Sequence, residues 1–410
     1  QICDIFQVGR NTVRAAFSRL NEKGYILSEE RKASIVVYQG TPEDFEKNQA
    51  SYFVPREDGI RDFSLAAKLL FLPVWEKELK NSSKLNQIIP YRKKYEKFMD
   101  EAPSMVKFCV ENIFPMNNGL LSNLYWECLR YVNFLHSDWK AEDLAQALGT
   151  PMPSSLTLSQ ILQLEENYYS IKRQELMEFI NVTREKYHLE SIKPIPFKWN
   201  IYRQRPQVRY SLAAKIIGEI FWGRYPIGSF LPPLTDMAEQ YGVSLITVRR
   251  TLSVLNSLGV TTSYRGSGTK VCMESKPIDL STSDIHEDLR LHRESLQFLA
   301  LTIRGVLLFT LEATPIERYQ KLAQDLSEVR EKKQGFLCFG IILDFICEEC
   351  PSAMVRECYS KLEDFIVWGC IMVLPLLKSE RFTTMHDKGI QQMEIHLSSH
   401  HIEAFANDCQ

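Results

Sequence analysis

Along residues 2–38 the apolar positions follow two rhythms in succession. Val13, Ala16, Phe17 and Leu20 fall at i, i+3, i+4 and i+7, the spacing of one helix face, and Gly24 follows as a stop. The apolar clusters "YIL" and "SIVVY" come next and read as the two strands of a short hairpin. Residues 237–273 repeat this grammar without a gap at an offset of 235: Val248, Thr251, Leu252 and Leu255 form the face, Gly259 the stop, "VTTSY" and "TKVCM" the strands. Ten of the 37 aligned pairs are identical. An apolar helix end, a turn at Val8 or Val243, a second helix and a hairpin make a winged helix-turn-helix, so the pattern predicts two of them. Residues 57–200 and 278–410 read as helices with few strand signals. "FSLAAKLLFLPVWEKEL" at 63–79 corresponds to "FLALTIRGVLLFTLEA" at 298–313. Segments 108–136 and 339–369 share a helix pair broken at Asn117-Asn118-Gly119 or at Pro351. The expected fold is mainly α: winged helices at 1–40 and 200–275, each followed by an all-helical domain, at 57–190 and 278–410.

Composition agrees with several domains. At 410 residues, 45% hydrophobic and 24% charged, the chain has the make-up of an ordinary globular protein too long for one core. The net charge of −2 conceals an asymmetry. Residues 1–38 hold six basic and four acidic side chains, and residues 203–274 hold nine and four, so both predicted winged helices are basic on an acidic remainder. The ten cysteines lack the dense spacing of a disulfide framework, which fits a reducing cytoplasm. Cys347-Glu-Glu-Cys350 stands alone, without a second pair at zinc spacing, and reads as two helix cysteines. No signal-peptide pattern is evident, and the apolar run at 365–377 is too short to span a bilayer, so it is expected to be a core helix and no membrane contact is expected.

Residues 209–271 carry "GRYPIGSFLP", "YGVSLITVRR" and the wing "YRGSGTKV", and this stretch resembles the N-terminal domain of GntR-family bacterial transcriptional regulators. The first copy begins partway through the same motif, so the natural N-terminus is expected to lie upstream. The size and helical character of the bodies resemble the FadR branch of that family. Many members of the branch hold a metal through one Asp and three His, with a Phe-His at a helix start. Here those places are Phe108-Cys109 and Phe339-Gly340, which puts that site in doubt, and no cofactor is expected. His396 and His400, at i, i+4, could share a metal on a helix face but read more simply as solvated.

In a winged helix-turn-helix the second helix enters the major groove with its N-terminal residues against base edges. Arg10 at that tip could donate two hydrogen bonds to guanine, and Asn11 could pair with adenine or a phosphate. Thr12, Arg14, Thr247 and Arg249 suit phosphates, which set register and salt dependence, and Ser244 and Arg250 are further DNA-binding candidates. The second copy has Leu245 and Ile246 where the first has Arg10 and Asn11, and Pro233, Leu234 and Thr235 where the family commonly has Ser-Glu-Arg. The two apolar side chains either touch thymine methyl groups or are covered by protein. Arg265, Gly266, Ser267, Gly268 and Thr269 keep the family's glycine-rich wing tip, which the first copy replaces with Arg31, Lys32, Ala33 and Ser34.

The favoured function is a cytoplasmic bacterial transcriptional regulator that binds a double-stranded operator as an intramolecular pseudo-dimer. A small-molecule effector would bind in a helical bundle, with Arg130, Trp75, Arg304 and Asp344 as candidates only by being polar or amphipathic in apolar helices. Further homo-oligomerisation stays open. The alternative is a regulator-derived protein-interaction module with degenerate DNA binding. No nucleophile elbow, phosphate loop or catalytic lysine pattern is visible, so an enzyme is not expected.

Overall fold

The computed structural model describes residues 9–29, 32–80, 116–132, 173–201, 208–274, 283–377 and 380–410. The first winged-helix segment comprises α1 (Arg10–Glu22) and the antiparallel strands β1 (Ile26–Leu27) and β2 (Ile35–Val36). A helical body follows, with α2 (Pro42–Phe53), a 3-10 turn at Val54–Arg56, α3 (Glu57–Leu70), α4 (Leu72–Lys80), α5 (Gly119–Tyr131) and a helical stretch, α6, at 173–186. The second winged helix is α7 (Val208–Phe221), α8 (Leu234–Tyr241), α9 (Leu245–Ser257), β3 (Thr261–Tyr264) and β4 (Gly268–Val271). The remainder is helical: α10 (Ser283–Ala313), α11 (Ile316–Glu331), α12 (Cys338–Glu349), α13 (Ala353–Leu377), α14 (Glu380–Ser398) and α15 (Ile402–Asp408).

The two hairpins share their register and the backbone bonds that leave their helices. Ile26 pairs with Val36 and Leu27 with Ile35; 235 positions on, Thr261 pairs with Val271 and Thr262 with Lys270. Gly24 and Gly259 leave their helices at φ 73° and 74°, a left-handed conformation that a side chain would strain. Tyr25 N–H donates to Leu20 O at 2.9 Å and Val260 N–H to Leu255 O at 3.0 Å. Asn21 Oδ1 accepts from Ser28 N–H at 2.9 Å, and Asn256 Oδ1 accepts from Thr261 Oγ1 at 2.7 Å, so the same residue ties helix to wing in both. Burial is where they part. Leu255 is fully buried beneath α7, whereas its counterpart Leu20 is 37% exposed, and α1 has no buried residue.

The helical bodies hold the core. Helix α10 packs on α13, α15 and α12, α11 packs on α14, and α7 lays Ala213, Ile216, Ile217 and Ile220 against its neighbours α9 and α13. By length and composition Leu289–Ala313 could cross a membrane, but Phe298, Ile303, Val306, Leu307 and Leu311 are buried in the helix packing. The helix is the bundle's centre. The expected helix over 63–79 is instead two. Pro73 has no N–H to donate to residue 69, and α3 ends at Leu70, whereas the counterpart segment lies inside the 31-residue α10. The break at Asn118 is as expected, its side chain capping α5 through Leu121 N–H at 2.8 Å, and Pro351 sits between α12 and α13. The run at 365–377 forms the end of α13.

Two long-range caps tie α3 and α5 to α13 and α10. Glu294 on α10 accepts from Leu120 N–H at the start of α5 at 2.8 Å, and Asp62 on α3 accepts from Met354 N–H at the start of α13 at 2.7 Å. Each carboxylate accepts from an orphan amide at a helix start, where the helix dipole favours negative charge. The buried Asn118 adds a bond to Glu294 O at 2.9 Å.

Candidate nucleic-acid interface

The turn between α8 and α9 is set by three residues. Pro233 opens α8, Gly242 closes it at φ 61°, and Val243 N–H returns to Ala238 O at 3.0 Å. Ser244 then caps α9: its Oγ accepts from Thr247 N–H at 3.2 Å and shares a hydrogen bond with Thr247 Oγ1 at 2.9 Å. The inward face is the expected one, with Val248, Thr251, Leu252 and Leu255 buried. Thr251 Oγ1 donates to Arg209 O at 3.2 Å, fixing α9 across α7.

This seating leaves Leu245, Ile246, Arg249, Arg250 and Ser253 exposed. Helical geometry places Ile246, Arg249, Arg250 and Ser253 on the side away from the buried face. Leu245 is 42% and Ile246 60% exposed, so both keep apolar surface open to solvent, Ile246 the more. In the first copy Arg10, Asn11, Thr12 and Arg14 are exposed along α1. None of Arg10, Arg14, Arg249, Arg250 and Arg265 has an ion-pair partner among the described residues, which leaves the guanidinium forks available to an anion.

The wing is rigid at its base and tight at its tip. Residues 228–231 lie along β4, with Gly228 N–H to Val271 O and Leu231 N–H to Thr269 O both at 2.8 Å, so the "GSFL" segment braces the hairpin. At the tip Gly266 and Gly268 take φ of 77° and 101°, and Arg265, Gly266 and Ser267 are exposed. Thr269 differs from its neighbours: it is buried, and its hydroxyl shares a hydrogen bond with Ser263 Oγ at 2.9 Å, so it shapes the wing from within. Ser244 likewise spends its hydroxyl on the cap. In the first copy Lys32 pairs with Glu29, Ala33 and Ser34 are exposed, and Arg31 lies outside the described residues.

The remaining candidates fall in separate places. His396 Nδ1 pairs with Asp408 Oδ2 at 2.6 Å, and His400 lies beyond the end of α14 at φ 56°, so the two are not one turn apart on a helix face. Cys347 is on α12 and Cys350 caps it; burial raises both thiols above the ordinary range, which makes them poor nucleophiles. Phe108-Cys109 lies outside the described residues, and Gly340 packs toward Trp222. Arg130 pairs with Glu127 at 2.5 Å, Trp75 stacks on Phe71, and Arg304 donates to Asn407 at 2.6 Å.

Asp344 lines a large cleft. A cleft of about 630 Å³ lies between the end of α7 (Phe221, Trp222) and helices α11 and α12, with Lys321, Asp325 and Ile341 among its walls. Burial raises the pKa of Asp344, and its neighbour Glu363 is pushed up to about 8, first by burial and then by the Asp344 charge. Sequence periodicity did not single out Trp222, Lys321 or Asp325, because the cleft forms only where winged helix and bundle meet.

Residues 209–271 match the family described as bacterial regulatory proteins, gntR family. The chain is 33% identical over 144 residues to RmpR of Mycobacterium gastri, described as an HTH-type transcriptional regulator, an alignment covering 32% of this chain and 52% of that protein. It is 46% identical over 50 residues to the HTH-type transcriptional repressor STM4068 of Salmonella typhimurium, covering 12% of this chain and 21% of the other. The chain thus spans about half the length of the first and about a fifth of the second. Among solved structures, Streptococcus agalactiae GntR aligns at 15% identity and a TM-score of 0.21, covering 49% of this chain and 95% of that one. E. coli McbR/YncC aligns at 16% and 0.27, covering 49% and 91%.

Proposed function

We propose, taking the GntR-family segment at 209–271 as the premise, that the protein is a sequence-specific DNA-binding transcriptional regulator. Its two winged helices act as the two readers of an intramolecular pseudo-dimer, on the FadR-like pattern of a reader followed by a helical body, in the bacterial cytoplasm. The observation that supports this reading is the exposed face of α9 with Ile246, Arg249 and Arg250, together with the matching hairpin registers of the two segments. Two-fold dimers suit two half-sites, and two readers in one chain would do the same. The exposed arginines of both copies supply phosphate contacts, and covalent linkage raises the effective concentration of the second reader.

Control by a small molecule fits the cleft beside Trp222 and Asp344. Its volume of about 630 Å³ suits a metabolite-sized ligand, and it joins a reader helix to the bundle, so an occupant favouring one arrangement of α7 on α11 and α12 would shift the readers' spacing. The test is selection of bound DNA from a random pool by the full chain, followed by a salt series. An enriched two-part motif, with an affinity that falls steeply with salt, is the expected result. Equal retention of selected and random DNA would overturn the reading.

A further inference from the structure

We infer that the second recognition helix reads thymine, using Leu245 and Ile246 as methyl-contacting residues. The inference rests on the DNA-binding reading above and adds to it a base preference and the residues that impose it.

The alternative for these side chains was burial against the rest of the chain. Their exposures of 42% and 60% leave both with accessible apolar surface, Ile246 the more, whereas Val248, two positions after Ile246, is fully buried on the other face. Ile246 therefore shares its face with Arg249 and Arg250, at the end of the helix capped by Ser244. A basic flank of nine cationic against four anionic side chains over 203–274 favours a polyanion as the occupant of this face.

Chemistry then selects the base. Leu and Ile offer neither donor nor acceptor. Pressed on guanine or cytosine edges they would desolvate O6, N7 or N4 without replacing the lost hydrogen bonds with water, which is unfavourable. In the major groove the thymine C5 methyl group is the apolar feature a base pair presents, so contact there removes water from apolar surface on both sides. In the first copy Arg10 and Asn11 occupy the same two helix positions, N1 and N2, with hydrogen-bonding groups. The two readers are chemically unlike, and the operator they match is asymmetric: a half with guanine or adenine under α1 and a thymine-bearing half under α9.

The experiment replaces individual thymines of the selected site by deoxyuridine, which keeps base pairing and removes only the methyl group. The full chain should lose about fourfold in affinity at one or two positions of one half-site, the equivalent of ~0.8 kcal/mol for one methylene-sized contact. The double variant Leu245→Ala, Ile246→Ala should bind the thymine and deoxyuridine sites equally. Its salt dependence should be unchanged, because Arg249 and Arg250 remain, and its melting temperature should match the parent's, because both side chains are exposed. Selected DNA bound with equal affinity in thymine and deoxyuridine forms at every position would overturn the thymine reading alone. Failure to select any DNA would overturn the DNA-binding reading beneath it.

Discussion

Replacing Glu294 by Ala should loosen the contact between the halves and little else. The side chain is 2% exposed; its Oε2 accepts from Leu120 N–H at 2.8 Å, and its Oε1 pairs with Arg290 Nη1 at 2.5 Å. Leu120 is itself 1% exposed and stands in the first turn of α5, where its N–H has no acceptor in its own helix. Removing the carboxylate strands that donor in a dry site, a cost of about 1–3 kcal/mol. Loss of the partly exposed Arg290 pair adds roughly 0.5 kcal/mol, and the one lost methylene about 0.8 kcal/mol. The expected total is roughly 2–4 kcal/mol, summed from those ranges. Glu294→Gln keeps the shape and an acceptor oxygen, so it should cost about 1 kcal/mol or less. Amide hydrogen exchange on the full chain resolves the effect by segment, which a single melting curve of a multidomain protein does not. Exchange should accelerate in Glu294→Ala across the first turn of α5 and stay at parental rates in α9. Exchange in the α5 first turn equal between the Ala and Gln variants would refute the reasoning, because the buried acceptor would then carry no weight.

Two further outcomes follow from packing and charge. A Cβ at Gly59 would lie 2.7 Å from ring carbons of Tyr131, whose hydroxyl donates to Ile195 O at 2.7 Å. Gly59→Ala should therefore displace Tyr131 and cost about 1–3 kcal/mol, read as a lower urea midpoint, whereas Gly305→Ala, with open space around it, should not. Glu363, pushed up to about 8 by burial and the Asp344 charge, binds a proton in the folded chain that the unfolded chain has already released above about pH 4.3. The native state then holds more protons than the unfolded, so stability should fall as pH rises from about 5 towards 8. Glu363→Gln should flatten that decline in denaturation midpoints measured across this range; an unchanged slope would contradict it.

How much of this was legible beforehand follows from how local each feature is. The hairpins, the glycine stops at Gly24 and Gly259, and the buried face Val248, Thr251, Leu252, Leu255 were readable because each depends on residues within a turn or two of one another. Thr269 belongs to the wing-tip motif in sequence, and its inward turn to Ser263 follows from a register known only once β3 and β4 are paired. Pro73 was visible in the sequence, but the shared apolar pattern hid its consequence, the split between α3 and α4.

The sequence by itself determined the local grammar: which residues cap, turn, face inward and carry charge at the two recognition helices. Tertiary structure decided what covers what. It seats α7 over α9, sets Asp62 and Glu294 on the starts of helices distant in sequence, and opens the cleft beside Trp222. Those contacts join residues more than 40 positions apart, 292 in the case of Asp62 and Met354. Periodicity reports the face a helix will bury, but only packing selects the partner, because the hydrophobic effect is non-directional and specifies area removed from water, not identity.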